Sequence, residues 1–223
     1  DYIYEGDVYQ VNYTRQFAGA RTPLAEDELY LCLREMNPAP FAAYIKGSDW
    51  SILSSSPERL IRCCNGVLQT KPIKGTVAVG STPEEDEGNR NWLLSSEKDR
   101  SELLMIVDLE RNDLAKVSES GTVRVEKLFE LETYETVHHL VATVSSNLRS
   151  DLSPFRVLEG VFPGGSITGT PKRRSMEIIA ELERHPRGVY TGSIGYINNN
   201  GDFDFNIAIR TIIRDGSRIL FNA

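Results

Sequence analysis

The chain has 223 residues, of which 40% are hydrophobic and 26% are charged, and it carries a formal net charge of −7 with a pI near 5.1. This acidic balance argues against a nucleic-acid-binding surface, which needs a basic face, and no apolar run of about 18 residues or leader pattern predicts a membrane span or secretion. Its three cysteines (Cys32, Cys63 and Cys64) have neither the number of a disulfide framework nor a C-x-x-C metal spacing, so we expect a cytoplasmic protein.

The first half of the chain predicts one helix followed by a series of strands. Thr22-Pro23 opens an apolar-periodic run that Pro38 closes, which predicts a helix between them. The capping box Thr82-Pro83-Glu84-Glu85 predicts the start of a second helix. Between the two helices, strand composition marks residues 41–46, 51–55, 60–64 and 67–73, with a tight hairpin turn at Asn65-Gly66.

The second half mixes helices and strands in an irregular order. We expect helices at residues 97–117, 154–161 and 171–182, one or two strands within 122–148, and closing strands at 189–197, 202–213 and 219–222. This order is not a repeating βαβ pattern, so it predicts an α+β fold with mixed, largely antiparallel sheets and flanking helices in one domain, residues 1–223. Both ends of the chain lie in the middle of a pattern, and we expect a fragment of a larger protein.

The glycine-rich segment from Phe162 to Lys172 reads FPGGSITGTPK and leads into a predicted helix. Thr170 suits the N-cap and Pro171 the first helical position, and free N–H groups at a helix start attract anions. The segment therefore predicts a cradle for a negatively charged small molecule, although ordinary glycine loops that cap helices share this composition. A phosphate loop does not fit, because Thr170-Pro171 stands where Lys-Ser/Thr must follow.

Three acidic residues are candidates for chemistry. Asp99 and Glu102 are three residues apart on a predicted helix, so they share a face that could hold one Mg2+, while a solvated helix face is the ordinary alternative. Glu58, within Ser-Pro-Glu-Arg, could act as a general acid if burial raised its pKa, but the same pattern suits a surface carboxylate.

Basic residues supply the other candidates. Lys74 ends a predicted strand and could be a nucleophile if desolvated, although most lysines face water. His138 and His139 lie in an apolar stretch where alternation turns one of them inward, and a hydrogen-bonded core histidine explains that pattern equally. Arg210 falls in an alternating run, where it either reaches solvent or binds a carboxylate ligand.

A series of short motifs spreads over nearly the whole chain in an order typical of one enzyme family. They are residues 6–12 (GDVYQVN), 56–58 (SPE), 72–76 (PIKGT), 97–100 (EKDR), 105–114 (MIVDLERNDL), 137–140 (VHHL), 162–172, 190–196 (YTGSIGY) and 207–211 (IAIRT). The chain therefore resembles the chorismate-utilising enzymes, which comprise anthranilate synthase component I, aminodeoxychorismate synthase component I, isochorismate synthase and salicylate synthase.

The resemblance implies a role for each candidate. Glu58 matches the general acid that protonates the departing C4 hydroxyl of chorismate. Glu102 and Asp99 match positions on the helix that binds Mg2+, and this cation binds the ring carboxylate. The other matched positions line the same pocket: Tyr190 and Arg210 at the enolpyruvyl carboxylate, His139 near the C4 hydroxyl, and Thr76, Gly165, Ser166 and Gln10 around them as substrate-binding residues.

Two positions separate the branches of the family. Members that add water to the ring carry a lysine base at the place of Gln10, so Gln10 disfavours isochorismate and salicylate synthases. Anthranilate synthases usually have alanine at the place of Lys74, whereas the matching aminodeoxychorismate synthases have a lysine that attacks C2 of the ring and is expelled when ammonia enters at C4. The resemblance thus implies the aminodeoxychorismate synthase component I branch, in p-aminobenzoate and folate synthesis, with anthranilate synthase component I as the alternative.

The resemblance also implies partners and missing parts. The substrate is chorismate, and ammonia comes from a glutamine amidotransferase subunit or domain, because no cysteine of this chain lies on a recognisable nucleophile turn with a histidine partner. We expect the family's N-terminal half, and a C-terminal helix with further metal-binding glutamates, to lie outside this sequence. An inactive fragment that only binds an amidotransferase partner is a further alternative.

Overall fold

A computed structural model of the chain describes residues 1–20 and 23–223. The helices within these residues are α1 Glu26–Met36, α2 Pro83–Ser95, α3 Glu97–Val117, α4 Pro154–Val161 and α5 Lys172–Leu182, with a short 3-10 helix at Gly165–Ile167. The strands are β1 Gln10–Val11, β2 Gln16–Ala20, β3 Phe41–Lys46, β4 Trp50–Ser56, β5 Arg59–Cys64, β6 Val67–Lys71, β7 Ile73–Ala78, β8 Arg124–Thr133, β9 Val137–Asn147, β10 Gly169–Thr170, β11 Gly195–Ile197, β12 Phe203–Asn206, β13 Thr211–Asp215 and β14 Arg218–Asn222.

The strands form two large antiparallel sheets and one short pair. The larger sheet has the order β11-β12-β5-β6-β9-β7, with β8 along the other edge of β9. The second sheet has the order β2-β14-β13-β4-β3, and β1 pairs with β10 alone. The predicted α+β fold with antiparallel sheets is confirmed.

The main core lies between α3 and the larger sheet. Leu103, Val107 and Leu114 of α3 are fully buried in one cluster with Leu140 and Val144 of β9. Their spacing along α3 places them on one face of the helix, which is the pattern of a helix packed on a sheet. None of the helices in the described ranges has the length and apolar character of a membrane span.

Elements with strong local signals have the predicted bounds. The helices at residues 97–117 and 154–161 begin after Ser96 and Ser153, and each of these serines accepts a hydrogen bond from a backbone N–H of the first turn. Such N-caps satisfy backbone donors that have no partner inside the helix, so they mark a helix start in the sequence itself. The hairpin turn is also as predicted, with positive φ at both Asn65 and Gly66.

Pro72 divides the strand that the sequence predicts at residues 67–73. Because proline has no backbone N–H, it cannot donate to the ladder, and the strand breaks into β6 and β7, which pair with different parts of β9. Lys74 is therefore the second residue of β7, where the sequence had predicted a strand end.

The predicted strands at residues 189–197 and 202–213 are also shorter in the structure. Residues 189–193 form turns, in which Gly192 N donates to Val189 O at 2.9 Å and Thr191 has a φ of 61°. Residues 207–210 leave the larger sheet after β12 and enter the second sheet at β13, and Arg210 makes this change of direction with a φ of 49°. Alternation in the sequence does not reveal where a chain passes from one sheet to another.

Two predicted helix starts differ as well. Thr170 is not the N-cap of α5, because its backbone pairs with β1 and its carbonyl accepts from Tyr9 N at 2.8 Å. Pro171 takes the N-cap position, without a side-chain hydrogen bond. Thr22, predicted to open α1, lies outside the described residues, and the helix begins at Glu26.

Candidate active site

The candidate site lies where the chain passes between the two large sheets. Pro57 and Glu58 connect β4 of the second sheet to β5 of the larger one, and residues 207–210 make the reverse passage beside them. The two passages are joined by a hydrogen bond from Ile207 N to Glu58 O at 3.0 Å. A cavity of about 460 Å³ opens here, and its walls include Asn12, Glu58, Lys74, Ser166, Arg187, Tyr190 and Arg210.

Glu58 is the buried acid of this cavity. Its side chain is only 6% exposed, and within the described chain its Oε1 atom has no hydrogen-bond partner. Burial raises the pKa of Glu58 above its usual 4.5, against smaller opposing effects of the Ser166 hydroxyl, the charge of Lys74 and the backbone at Ile73. The carboxyl group therefore holds its proton to a higher pH than an exposed glutamate, as a general acid requires.

Lys74 reaches the same cavity from β7. Its Nζ donates to Ser166 O at 3.4 Å, and its charge acts on Glu58. The neighbouring Gly75 has a φ of 80°, and a Cβ there would come within 3.0 Å of Asp99. Glycine thus allows β7 to approach Asp99 in the first turn of α3 closely.

The glycine-rich segment closes one side of the cavity. Ser166 is buried in the short 3-10 helix, and its hydroxyl faces Glu58 without the geometry of a full hydrogen bond. Gly165 lies so close to Leu109 that a Cβ would approach Leu109 Cδ2 to 2.5 Å, so its role is to let the segment pack against α3. The part of this segment that lines the cavity is the 3-10 turn, through Ser166 and Ile167, and not the start of α5.

Lys172, at the end of this segment, holds it against α3. The Nζ atom forms an ion pair with Asp113 and donates to Val161 O at 3.0 Å and Pro163 O at 2.6 Å. Burial lowers the pKa of Lys172, while the charge of Asp113 and the hydrogen bond to it oppose that effect. The sequence analysis assigned no role to either member of this ion pair.

His139 and Thr76 form a pair beside the cavity. His139 Nδ1 and Thr76 Oγ1 are 2.8 Å apart on the paired strands β9 and β7. Burial and then the charge of Arg210 lower the pKa of His139, which keeps the imidazole neutral at neutral pH. His138 points to the other face, where Nε2 lies 2.7 Å from an oxygen of Asp86, so both histidines are buried and only His139 lies on the side of the site.

Asp99 and Glu102 are at the N-terminal end of α3, as predicted. Asp99 accepts a hydrogen bond from Ser96 Oγ, and Glu102 is one-third exposed with Lys98 Nζ at 4.0 Å. In the described ranges, no group of three or more His, Cys, Asp and Glu side chains is arranged to hold a metal ion. Asp99 and Glu102 fit part of a Mg2+ site as two carboxylate ligands from one helix face, because Mg2+ keeps several waters and needs few protein ligands.

Tyr190 and Arg210 complete the cavity wall. The other predicted site residues do not line it: Gln10, Thr76, Asp99, Glu102, His139 and Gly165. Tyr190 lies in the turn that was predicted as a strand, and Arg210 is exposed at the passage between sheets. Gln10 lies in β1 opposite Thr170, and its carbonyl oxygen accepts from Ser175 Oγ at 3.2 Å. Its side-chain oxygen is buried and lacks a partner in the described residues.

Arg187 is a cavity residue that the sequence analysis missed. It forms a buried ion pair with Glu183 at 2.6 Å. The i,i+4 spacing of Glu183 and Arg187 is the only local signal for this pair, and that spacing is common on exposed helices. Among the described residues, other depressions of about 780, about 480 and about 460 Å³ are as large or larger, but none of these three contains Glu58 or Lys74.

Comparison with known proteins decides the family. A family model described as chorismate binding enzyme matches residues 1–223. The chain belongs to this family. The resemblance drawn from the motifs is thereby confirmed.

Relatives within the family carry two different names. The chain is 51% identical over 216 residues to the probable aminodeoxychorismate synthase, chloroplastic, of Oryza sativa subsp. japonica. The matched region covers 96% of this chain and 24% of the rice protein. It is 44% identical to aminodeoxychorismate synthase component 1 of Escherichia coli (strain K12), over 100% of this chain and 49% of that protein. Its fold matches a crystal structure of anthranilate synthase component I from Streptococcus pneumoniae TIGR4 with a TM-score of 0.91 at 37% identity, over 100% of this chain and 49% of that one.

Proposed function

We propose that the protein containing this chain is an aminodeoxychorismate synthase component I, which converts chorismate and ammonia to 4-amino-4-deoxychorismate. The observation that carries the proposal is Lys74, because its amine enters a cavity that also holds a buried acid, Glu58. The names of the relatives support the same branch. The chain spans about half the length of the bacterial relative and about a quarter of the rice protein, so the activity is proposed for the whole protein.

The two residues divide the replacement of a hydroxyl by an amine into two displacements. Lys74, after losing a proton, attacks C2 of the ring; the two conjugated ring double bonds shift, and the C4–O bond breaks as Glu58 donates its proton, so that water leaves. Ammonia then forms a bond to C4, both double bonds shift back, the C2–N bond to Lys74 breaks, and a proton lost from the new ammonium group returns Glu58 to its acid form. Covalent catalysis of this kind replaces one difficult step by two easier ones.

The remaining site residues bind and orient the two carboxylates of chorismate. Arg210 and Tyr190 are proposed to hold the enolpyruvyl carboxylate, since a guanidinium presents a fork of donors that matches a carboxylate. Ser166, Gly165 and Thr76 shape the pocket, and neutral His139 lies near the C4 hydroxyl. Asp99 and Glu102 would hold Mg2+, which supplies positive charge for the ring carboxylate when bound.

The test is whether Lys74 forms a covalent adduct. We expect mass spectrometry of the full-length protein, incubated with chorismate and without ammonia, to show an adduct on the peptide that contains Lys74 and none in Lys74→Ala. Loss of a covalent nucleophile costs far more than the roughly 5- to 150-fold that loss of one binding contact costs, so Lys74→Ala is expected to lose aminodeoxychorismate formation almost completely. Lys71→Ala is the matched control, because Lys71 lies on the neighbouring strand and pairs with Glu132.

Anthranilate synthase component I is the second candidate, favoured by the close structural match to the Streptococcus pneumoniae protein. The two reactions differ in their products, because anthranilate formation eliminates pyruvate. Pyruvate release during turnover by the wild-type protein would replace the first proposal by the second. Near wild-type synthesis of aminodeoxychorismate by Lys74→Ala would instead reduce Lys74 to a binding residue.

A further inference from the structure

Arg187 is a charged residue in the cavity wall whose donors are already occupied by the protein. Its side chain is 13% exposed and that of its partner Glu183 only 6%. Arg187 Nε donates to Glu183 Oε2 at 2.9 Å and one terminal nitrogen to Oε1 at 2.6 Å. Two N–H groups directed at one carboxylate are the strong, geometrically defined form of an ion pair.

The remaining donors of Arg187 join two more segments of the cavity wall. One terminal nitrogen donates to Ile167 O at 2.8 Å, and the other donates to Asn12 O at 2.6 Å. Glu183 accepts in turn from Thr14 N at 3.1 Å, so the ion pair binds the segment after β1 at two points. A longer contact of 3.5 Å reaches Thr191 Oγ1.

Each segment that Arg187 holds carries a residue of the candidate site. Ile167 follows Ser166, and Thr191 follows Tyr190. Asn12 lines the cavity itself, with a buried Nδ2 that has no partner among the described residues. The three segments come from distant parts of the chain, so a single guanidinium sets their relative positions.

We propose that Arg187 is a positioning residue for chorismate binding: it fixes the wall that presents Ser166, Tyr190 and Asn12, and it does not itself bind a substrate carboxylate. This inference rests on the proposed function of the same cavity. Lysine cannot replace Arg187, because an ammonium lacks the planar fork that reaches a carboxylate and two carbonyls at once.

The experiment measures chorismate affinity by titration calorimetry in the full-length protein. All variants carry Lys74→Ala, so that binding is measured without covalent reaction. Arg187→Lys is expected to raise the Kd at least about tenfold, because displacement of binding groups by a fraction of an ångström to 1 Å is enough for losses of this order. Glu183→Gln is expected to weaken binding in the same direction, and the double variant to bind no worse than Arg187→Lys alone, since both changes break one unit.

Arg214→Lys is the matched control. Arg214 forms a comparably buried ion pair with Glu26, on β13 and α1, away from the cavity. It is expected to lower the melting temperature as Arg187→Lys does, while the Kd stays within about twofold of the parent value, because the cavity wall is unchanged. If Arg187→Lys does not fold, Glu183→Gln carries the test alone.

The outcomes separate the possible roles. A Kd for Arg187→Lys equal to that of the parent overturns the inference and leaves the proposed function intact. Unchanged or tighter binding by Glu183→Gln also overturns it, because Arg187 freed from its partner would then bind the substrate directly. Failure of the parent to bind chorismate overturns the proposed function and this inference together.

Discussion

The pKa of Glu58 depends on the surroundings of its side chain more than on its residue type. The same carboxylate on the surface would be ionised at neutral pH, but burial raises its pKa and leaves one oxygen without a partner in the described structure. The passage between sheets causes this burial, because Glu58 is covered by residues 207–210 on one side and by the glycine-rich segment on the other. The raised pKa of the acid beside Lys74 is thus a product of the fold.

The pH dependence of turnover follows from this raised pKa. Between the usual value of 4.5 and the raised value, Glu58 remains protonated, and it loses its proton as the pH rises further. Because only the protonated form can donate to the leaving hydroxyl, we expect kcat to fall as the pH rises through the raised pKa. Steady-state rates of the full-length protein with ammonium, measured across the pH range at constant ammonia, check this.

Glu58→Gln is the variant for this prediction. It keeps the size of the side chain but cannot donate a proton as an acid, so we expect a rate loss of about 10²- to 10⁴-fold and no descending limb assigned to this group. A descending limb of unchanged position in Glu58→Gln would show that another group is the acid.

Helix α3 connects the separate parts of the site at the scale of elements. Its first turns carry Asp99 and Glu102, its middle receives Gly165 against Leu109, and its last turns hold the glycine-rich segment through Asp113. A buried apolar face fixes the helix on the larger sheet, so these three contacts are held in constant relation. The acidic end of the helix and the cradle therefore behave as one rigid support.

The metal prediction belongs to this helix. We expect Glu102→Gln to remove Mg2+-dependent turnover, because the amide has no charge with which to bind a hard cation. Titration calorimetry is expected to show weaker Mg2+ binding by Glu102→Gln in the presence of chorismate. Asp108→Asn is the control, since Asp108 is exposed on the same helix and forms an ion pair with Arg111. Full activity of the wild-type protein in excess chelator would contradict the assignment.

At the scale of the whole molecule, the candidate site lies where the chain passes between the two sheets, so no single element contains it. Glu58, Lys74, Ser166, Tyr190 and Arg210 come from five separate parts of the chain and meet at one cavity. The chain spans about half of its bacterial relative. Two relatives, of which the chain covers 46% and 49%, are named component 1 of their enzyme.

The source of ammonia is a prediction about the whole molecule. Cys63 is buried and its pKa is raised by that burial, which disfavours the thiolate that glutamine hydrolysis needs. We therefore expect the purified full-length component to use ammonium salts, and to use glutamine only after a glutamine amidotransferase is added. Product formation with each nitrogen source checks this, and Cys32→Ser, at an exposed cysteine, is the control. Glutamine-dependent turnover by the purified component alone would contradict the prediction.

Much of the candidate site could be named from the sequence, because its residues lie in short motifs. Glu58, Lys74, Ser166, Tyr190 and Arg210 were all predicted, and the structure brings them to one cavity. Gln10 was expected in the pocket but lies in β1 outside its wall, since the pairing of β1 with β10 orients that strand. Arg187 could not be predicted from the sequence. Two of its hydrogen-bond acceptors, Ile167 O and Asn12 O, are distant in sequence, and its ion-pair partner Glu183 lies at an i,i+4 spacing that is common in helices.

The sequence by itself determined the α+β class, the helices with clear N-caps and the motifs that contain the candidate site residues, because these depend on neighbours a few positions apart. The tertiary structure alone decided the passage at residues 207–210 and the left-handed backbone of Thr191 and Arg210. It also decided the burial of Glu58 and the contact of Lys74 with Ser166, 92 positions away. These features arise where the chain passes between the two sheets and where segments distant in sequence meet, and no local pattern encodes which strand belongs to which sheet.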